Sequence, residues 1–376
     1  MGTTAGTEGL PVSTEPSPGT STPVSRPPRP TVDEAAESGW VSPVHTGRAW
    51  RLGHFGRPRR IAAVIYAAGA ATYLVTAHFP PSLDATFLLI AVGLLVGSIG
   101  ENPRSVWLRL VIDWLPLFLL LNVYDLLRKD VANVAGAHLF PQLHADEWLF
   151  GGTVPTVMLQ HALFTPADPH WWDYLTFLVY LSHFVVPIGV AAVLWKFAYR
   201  RFRRYAVLFL GLTFAAFATY ALYPAVPPWL ASLHGALQPT TKVIDDIWIH
   251  LGARSAASVL SSNSHLANPV AAMPSLHAAY PFLLMLFFWR SAGRYRWLLP
   301  LYPLAMGFTL VYSAEHFVID ILAGWMYATV VFIVGNWAFD RWVNRRSRNA
   351  DTNSAATRRP TPDRQTIRPR LDVTDR

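Results

Sequence analysis

Apolar residues in this chain gather into long runs that lack a polar face. The runs fall at about 61–79, 83–100, 107–127, 172–195, 205–222, 275–290, 297–315 and 317–341. Such runs are neither the stripe of an amphipathic soluble helix nor the alternation of a half-buried strand. Most approach the roughly 17 to 25 residues that cross a bilayer, so they predict about eight membrane-spanning helices. The segment at 275–290 is short and carries Pro281, which is expected to kink it where neighbouring helices can satisfy the freed carbonyl. The fold class expected is all-α, a polytopic membrane helix bundle.

The flanks read differently. Residues 1–46 are rich in Pro, Ser and Thr without an apolar period, and 346–376 are again polar; neither buries enough surface to offset ordering, so both are expected to be disordered tails. The first flank has no short apolar core of a signal peptide, so the first membrane helix is expected to stay attached. Between the tails, 47–130 form N-terminal membrane helices and 131–345 a second membrane domain that carries the chemistry.

Composition agrees with a bilayer as solvent. The chain of 376 residues is 52% hydrophobic and 14% charged, with 15 Trp and no Cys, which departs from a soluble domain and excludes thiol chemistry and disulfides. The net charge of +8 is distributed as a topology signal. One set of connections carries Arg48, Arg51, Arg57, Arg59, Arg60, Arg104, the KFAYRRFRR stretch, Arg290, Arg294, Arg296, Arg341, Arg345, Arg346 and Arg348; the alternate set carries only Arg128, Lys129, Lys242 and Arg254. The positive-inside rule then places both tails in the cytoplasm and the loops 128–171 and 223–274 outside. No nucleic-acid motif offers another reading of the charge.

That topology brings polar stretches to one interface. LYPAVPPW ends the run at 205–222, NPVAAMPSLH opens the run at 275–290, and SAEHFVID lies between the last two runs. His277 and His316 should therefore meet at the outer surface. His316 and Asp320 are four apart, so on a helix they share a face within hydrogen-bond reach. A carboxylate on one imidazole nitrogen fixes the tautomer and leaves the other nitrogen basic, suited to attack or general-base work. His277 has no such carboxylate and is freer to give a proton to a leaving oxygen. Ser275, after Pro274, is a credible N-cap whose helix would turn free N–H groups toward an anion. Attacker, acid and anion site together describe phosphoryl transfer. The two histidines and Asp320 could instead hold a metal, but no further ligand-spaced cluster accompanies them, so no metal or cofactor is expected.

MPSLH followed by HFVIDILAG resembles the second and third signature stretches of the type 2 phosphatidic acid phosphatase superfamily. The resemblance implies a six-helix catalytic core in which His316 forms a phosphohistidine, Asp320 orients it, His277 protonates the leaving group and Ser275 contacts phosphate. The usual arginine six residues before the attacking histidine is Leu310 here, and YPAVPPW stands in place of the first stretch. That combination looks like the inositol phosphorylceramide synthase branch, to whose bacterial relatives DEWLFGGTVPTVMLQ and WWDYLTFLVYLSHFVVP are also similar. Fungal members often carry a second histidine at the place of Glu315.

Fewer phosphate-binding cations suit a phosphodiester better than a phosphomonoester, since Arg supplies bidentate charge-assisted bonds that few groups replace. The expected activity is transfer of a phospho-headgroup, such as inositol phosphate, from a phospholipid donor to a lipid or polyol acceptor. A lipid or polyprenyl phosphate phosphatase is the alternative enzyme, and a non-catalytic transporter or assembly protein the alternative of another class. Further substrate-contact candidates are Lys242 and Arg254 in the second outer loop, His183 within its helix, Tyr223 and Trp229 at the interface, and Pro274. Asp113 is expected to pair within the bundle. No seam of small residues announces an oligomer.

Overall fold

The computed structural model describes residues 57–76, 83–99, 106–119, 137–252 other than Ala167, and 270–357. The protein is all-α. Helices α1 (Arg57–Thr76) and α2 (Leu83–Val96) pair, and α3 spans 106–119. There follow α4 (Phe140–Leu149), α5 (Pro155–Leu163), α6 (Trp171–Phe197), α7 (Tyr199–Leu222), α8 (Pro228–Leu233) and α9 (Val243–His250). The chain closes with α10 (Leu276–Phe288), a 3-10 turn (Gly293–Leu298), α11 (Leu301–Tyr312) and α12 (Val318–Thr357).

Helices α6, α7, α10, α11 and α12 form the bundle that matters for function. Helix α10 packs on α12 and α11, α12 also lies on α7, and α6 lies on α7 and α11. Its outer surface is apolar: Leu178, Val185, Val193, Phe214, Val330 and Ile333 are all exposed. Side chains of this kind, spread over several helices, match a hydrocarbon solvent and not water. Polar atoms turn inward. The hydroxyls of Thr213 and Tyr280 share a hydrogen bond of 2.7 Å, as do those of Thr219 and Tyr327, while Ser182 meets Tyr302 at 2.8 Å. Each bond ties two helices of the bundle together. Asp113 is held in the same way, accepting from Trp195 Nε1 at 2.8 Å and Tyr199 Oη at 3.0 Å, as its position in an apolar run predicts.

Among the described residues three helices, Trp171–Phe197, Tyr199–Leu222 and Val318–Arg345, are long and apolar enough to cross a membrane. The other expected spans differ in extent. The run at 297–315 does not form one helix: Pro300 sits at the N-cap of α11 and the preceding residues make a 3-10 turn, because proline has no N–H to donate and its ring clashes with the preceding turn of a continuous α-helix. With 13 and 12 residues, α10 and α11 each rise only about 18 to 20 Å, short of a full crossing. The outer stretches expected as loops contain α4, α5, α8 and α9, helices of 6 to 10 residues that are too short to stand out as apolar runs. At the other end, α12 runs on to Thr357, past the boundary expected at 346. The tail 1–46 and residues 358–376 lie outside the described residues.

Candidate active site

Four chain segments are stitched together above the bundle. Ala225 donates its N–H to Val270 O (2.7 Å) and accepts from Ala272 N–H (3.1 Å); His138 donates to Pro224 O (2.8 Å) and accepts from Val226 N–H (3.1 Å). Trp229 N–H then donates to Ala314 O at 3.1 Å. YPAVPPW thus forms the central strip, with MPSLH on one side and the SAEHFVID turn tied to its end. A last bond joins the two signature stretches directly, from Ser275 N–H to Asp320 O at 3.0 Å. Gly324 permits that approach, since a Cβ there would run into the Ser275 carbonyl oxygen.

The turn before α12 explains where His316 points. Helix α11 ends in a Schellman motif: Glu315 N–H reaches Leu310 O (3.0 Å), Ala314 N–H reaches Val311 O (3.2 Å), and His316 N–H shares Leu310 O (3.2 Å). The residue that reverses the chain is Ala314 at φ 61°, a left-handed position that glycine fills at less cost. Its methyl is fully buried. Ala314→Gly should therefore change the thermal midpoint little or raise it slightly, relief of about 1 kcal/mol of strain offsetting the lost methyl contact. Ala314→Val should cost more than about 2 kcal/mol, because a β-branched residue is a true outlier at positive φ and has no room. Thermal unfolding of both variants in one detergent checks this.

Asp320 lies in the first turn of α12 and is fully buried. His316 precedes the helix, so the pair is not two rungs of one helix as its spacing suggests. Asp320 Oδ2 accepts Phe317 N–H at 3.0 Å, and from there comes within 3.5 Å of His316 Nδ1. The contact is longer than a good hydrogen bond, yet it orients the ring. With Nδ1 turned to the carboxylate, Nε2 keeps its lone pair for a reactant.

His277 faces His316 with ring centroids 5.8 Å apart. It is packed against Tyr180 at 4.9 Å and His183 at 3.9 Å, and its buried Nε2 has no hydrogen-bond partner among the described residues. Helix α10 begins beneath it as expected, Ser275 Oγ accepting Ala278 N–H at 3.3 Å as the N-cap. The Pro274 carbonyl is fixed by Tyr220 Oη at 2.7 Å. His183, placed by sequence midway along its helix, lies between His277 and Tyr280.

Lys242 and Glu315 answer one another. Lys242 Nζ lies 3.7 Å from Glu315 Oε1 and 3.5 Å from Asp245 Oδ1, and 5.4 Å from the centre of the Trp229 ring. Burial pushes the lysine down, but the two carboxylates outweigh it and hold its pKa above the usual value, so it stays cationic. Leu310, which occupies the place of the usual arginine, is instead core, packed with Val243, Ile244 and Ile247. Tyr223 sits to one side, stacked on His138 at 4.1 Å and accepting from Gln142 Nε2 at 3.4 Å. Arg254 lies outside the described residues.

Three buried polar residues that hold this arrangement had no assigned role. Asp146 of α4 accepts Val318 N–H (2.9 Å) and Ile319 N–H (3.0 Å), capping α12 from a distant part of the chain. Burial raises its carboxyl to about 6, against the pull of those two N–H groups and with a push from Asp320. Gln160 donates to Thr241 O (2.7 Å) and Tyr312 O (2.8 Å) and accepts Thr241 N–H (2.8 Å), which fixes the residue beside Lys242. Asp173 accepts His170 N–H at 2.8 Å and the Tyr312 hydroxyl, tying α6 to the end of α11. All three fall in the DEWLFGGTVPTVMLQ and WWDYLTFLVYLSHFVVP segments, and an acid or amide among apolar neighbours was the available signal.

Residues 143–334, just over half of the chain, match the family described as the PAP2 superfamily. The phosphoinositol dihydroceramide synthase of Bacteroides thetaiotaomicron is 29% identical to the chain over 268 residues, an overlap of 64% of this chain and 81% of that synthase. No solved structure matches the chain significantly.

Proposed function

The chain belongs to the PAP2 superfamily, and we propose that within it this protein is a membrane lipid phosphotransferase that moves a phospho-headgroup, such as inositol phosphate, between lipids. The observation that carries this reading is the pairing of His277 with His316 across 5.8 Å, with Asp320 behind His316 at 3.5 Å. His316 Nε2 attacks phosphorus and the bond from phosphorus to the donor lipid oxygen breaks. His277, protonated once the negative charge of the phosphate is bound beside it, gives its proton to that oxygen. The acceptor hydroxyl then attacks the phosphohistidine, the P–N bond breaks, and the acceptor proton returns to His277. Ser275 at the N-terminus of α10 and the Lys242 ammonium supply donors to the phosphate. His183 and Tyr180 pack His277, while Trp229 supports Lys242; Tyr223 and Pro274 shape the edge, and Arg254 is a further candidate contact.

Choosing transfer over hydrolysis rests on charge. One lysine matched by carboxylates, with Leu310 in the place of an arginine, favours a diester over a doubly charged monoester. The similarity to a synthase named for phosphoinositol transfer supports the same choice. The chain would cross the membrane about eight times, with residues 47–130 as an N-terminal membrane unit and 131–345 as the catalytic one. The distribution of Arg supports an extracytoplasmic site and cytoplasmic tails: Arg201 lies 5.5 Å from the centre of the Phe287 ring, at the end of α10 opposite His277, and Arg203 and Arg204 lie over Trp342 and Phe339.

Purified protein given phosphatidylinositol labelled in the headgroup phosphate, together with a ceramide or another lipid alcohol, should yield labelled product lipid and diacylglycerol. Release of water-soluble inositol phosphate alone at every acceptor concentration would replace this reading with a hydrolase.

A further inference from the structure

Glu315 is the immediate neighbour of the proposed nucleophile, and the Schellman turn fixes both residues through one carbonyl, that of Leu310. Its side chain is 11% exposed and lies against Lys242. Lys242 in turn meets Asp245 at 3.5 Å and lies over the Trp229 ring at 5.4 Å. The cation serving this site therefore stands between two carboxylates, one of which adjoins His316. Leu310 adds no charge; it is fully buried among apolar side chains of α9.

We propose that Glu315 is a specificity-determining residue that sets the charge class of the phosphate accepted, admitting the monoanion of a phosphodiester and disfavouring the dianion of a phosphomonoester. This rests on the phosphoryl-transfer reading above. A phosphate placed for attack by His316 Nε2 and bound to Lys242 must share that lysine with the Glu315 carboxylate. A diester brings one negative charge to the shared cation, a monoester two. The extra charge meets Glu315 at close range in a site largely shielded from water, where repulsion between like charges is far stronger than at a surface.

The test is a ratio. Wild-type protein and Glu315→Gln are assayed in the same detergent for kcat/KM on phosphatidylinositol with a ceramide acceptor, and for phosphate release from phosphatidic acid. Removing the carboxylate charge while keeping its shape should raise the monoester-to-diester ratio at least about tenfold, and Glu315→Asp should retain the wild-type preference. A ratio that stays constant while both activities fall together, or a ratio that falls, would overturn the proposal and leave Glu315 as a structural partner of Lys242. Wild-type turnover of phosphatidylinositol tests the transferase reading separately, since the shift in ratio can be read whichever substrate wild type prefers. If Glu315→Gln does not fold, competitive inhibition of the wild type answers the same question. Glycerophosphoinositol, a diester, should inhibit at least about tenfold better than inositol 1-phosphate, a monoester; equal or reversed inhibition would sink the idea.

Discussion

Replacing His316 by alanine should lower turnover by about three to five orders of magnitude while leaving the bundle folded. The ring is close to solvent-excluded, at 6% exposure, but its backbone does the structural work: its N–H is bonded to Leu310 O, and alanine keeps that bond. What disappears is the nitrogen proposed to carry the phosphoryl group. Acid-labile label from a phosphate-labelled donor should be trapped on wild-type protein after rapid quenching and be absent from His316→Ala. His277→Ala should lose about two to four orders of magnitude, the usual worth of a positioned acid. Its defect should shrink when the donor carries a better leaving group, such as a p-nitrophenyl phosphodiester, because such an oxygen departs without a proton. The His316 variant should show no such relief. Relief in the His316 variant and none in the His277 variant would mean that the two roles are assigned the wrong way round.

Asp146→Ala is expected to have the largest effect on stability. It removes the acceptors of two N–H groups at the start of α12 in a place without solvent to replace them. A lost cap costs about 0.5 to 2 kcal/mol and an unsatisfied buried donor about 1 to 3 kcal/mol. Relief of the buried carboxylate offsets part of this, so a net loss of about 2 kcal/mol is expected in thermal or denaturant unfolding. The first turn of α12 carries Asp320 and aims His316, so kcat should fall about 10- to 100-fold with little change in KM. The sign with pH is also fixed. Because the folded carboxyl is raised to about 6 from an ordinary value near 3.8, the folded protein binds the extra proton between those values. Its contribution to stability is greatest below that window and is lost as pH rises through it. Asp146→Asn should remove that slope, so the difference in unfolding midpoint between wild type and Asp146→Asn should change between about pH 4 and 6 and level off above.

The sequence by itself determined whatever depends on neighbours along the chain. Unbroken apolar runs gave α6, α7 and the first part of α12, because a helix satisfies its own backbone and needs only a matching solvent. Ser275 after Pro274 marked the cap of α10, and the PSLH and HxxxD stretches named the two histidines and the carboxylate as one chemistry. Even the meeting of His277 and His316 followed from counting passes. Local spacing was less reliable where proline intervened, as at Pro300, and where a turn replaced a helix, so that Asp320 approaches His316 from the first turn of α12 and not along a helical face.

Tertiary structure alone decided what those groups rest on. Asp146 caps a helix 172 residues away, and Gln160 binds a carbonyl 152 residues away; each reads in sequence as an ordinary polar residue of an outer loop. Glu315 meets its partner only because the distant segment carrying Lys242 folds against it. The physical reason is the same in each case. A buried charge or amide is tolerable only with its partner present, and a partner brought by a distant segment leaves no periodicity, spacing or composition in the residues beside it.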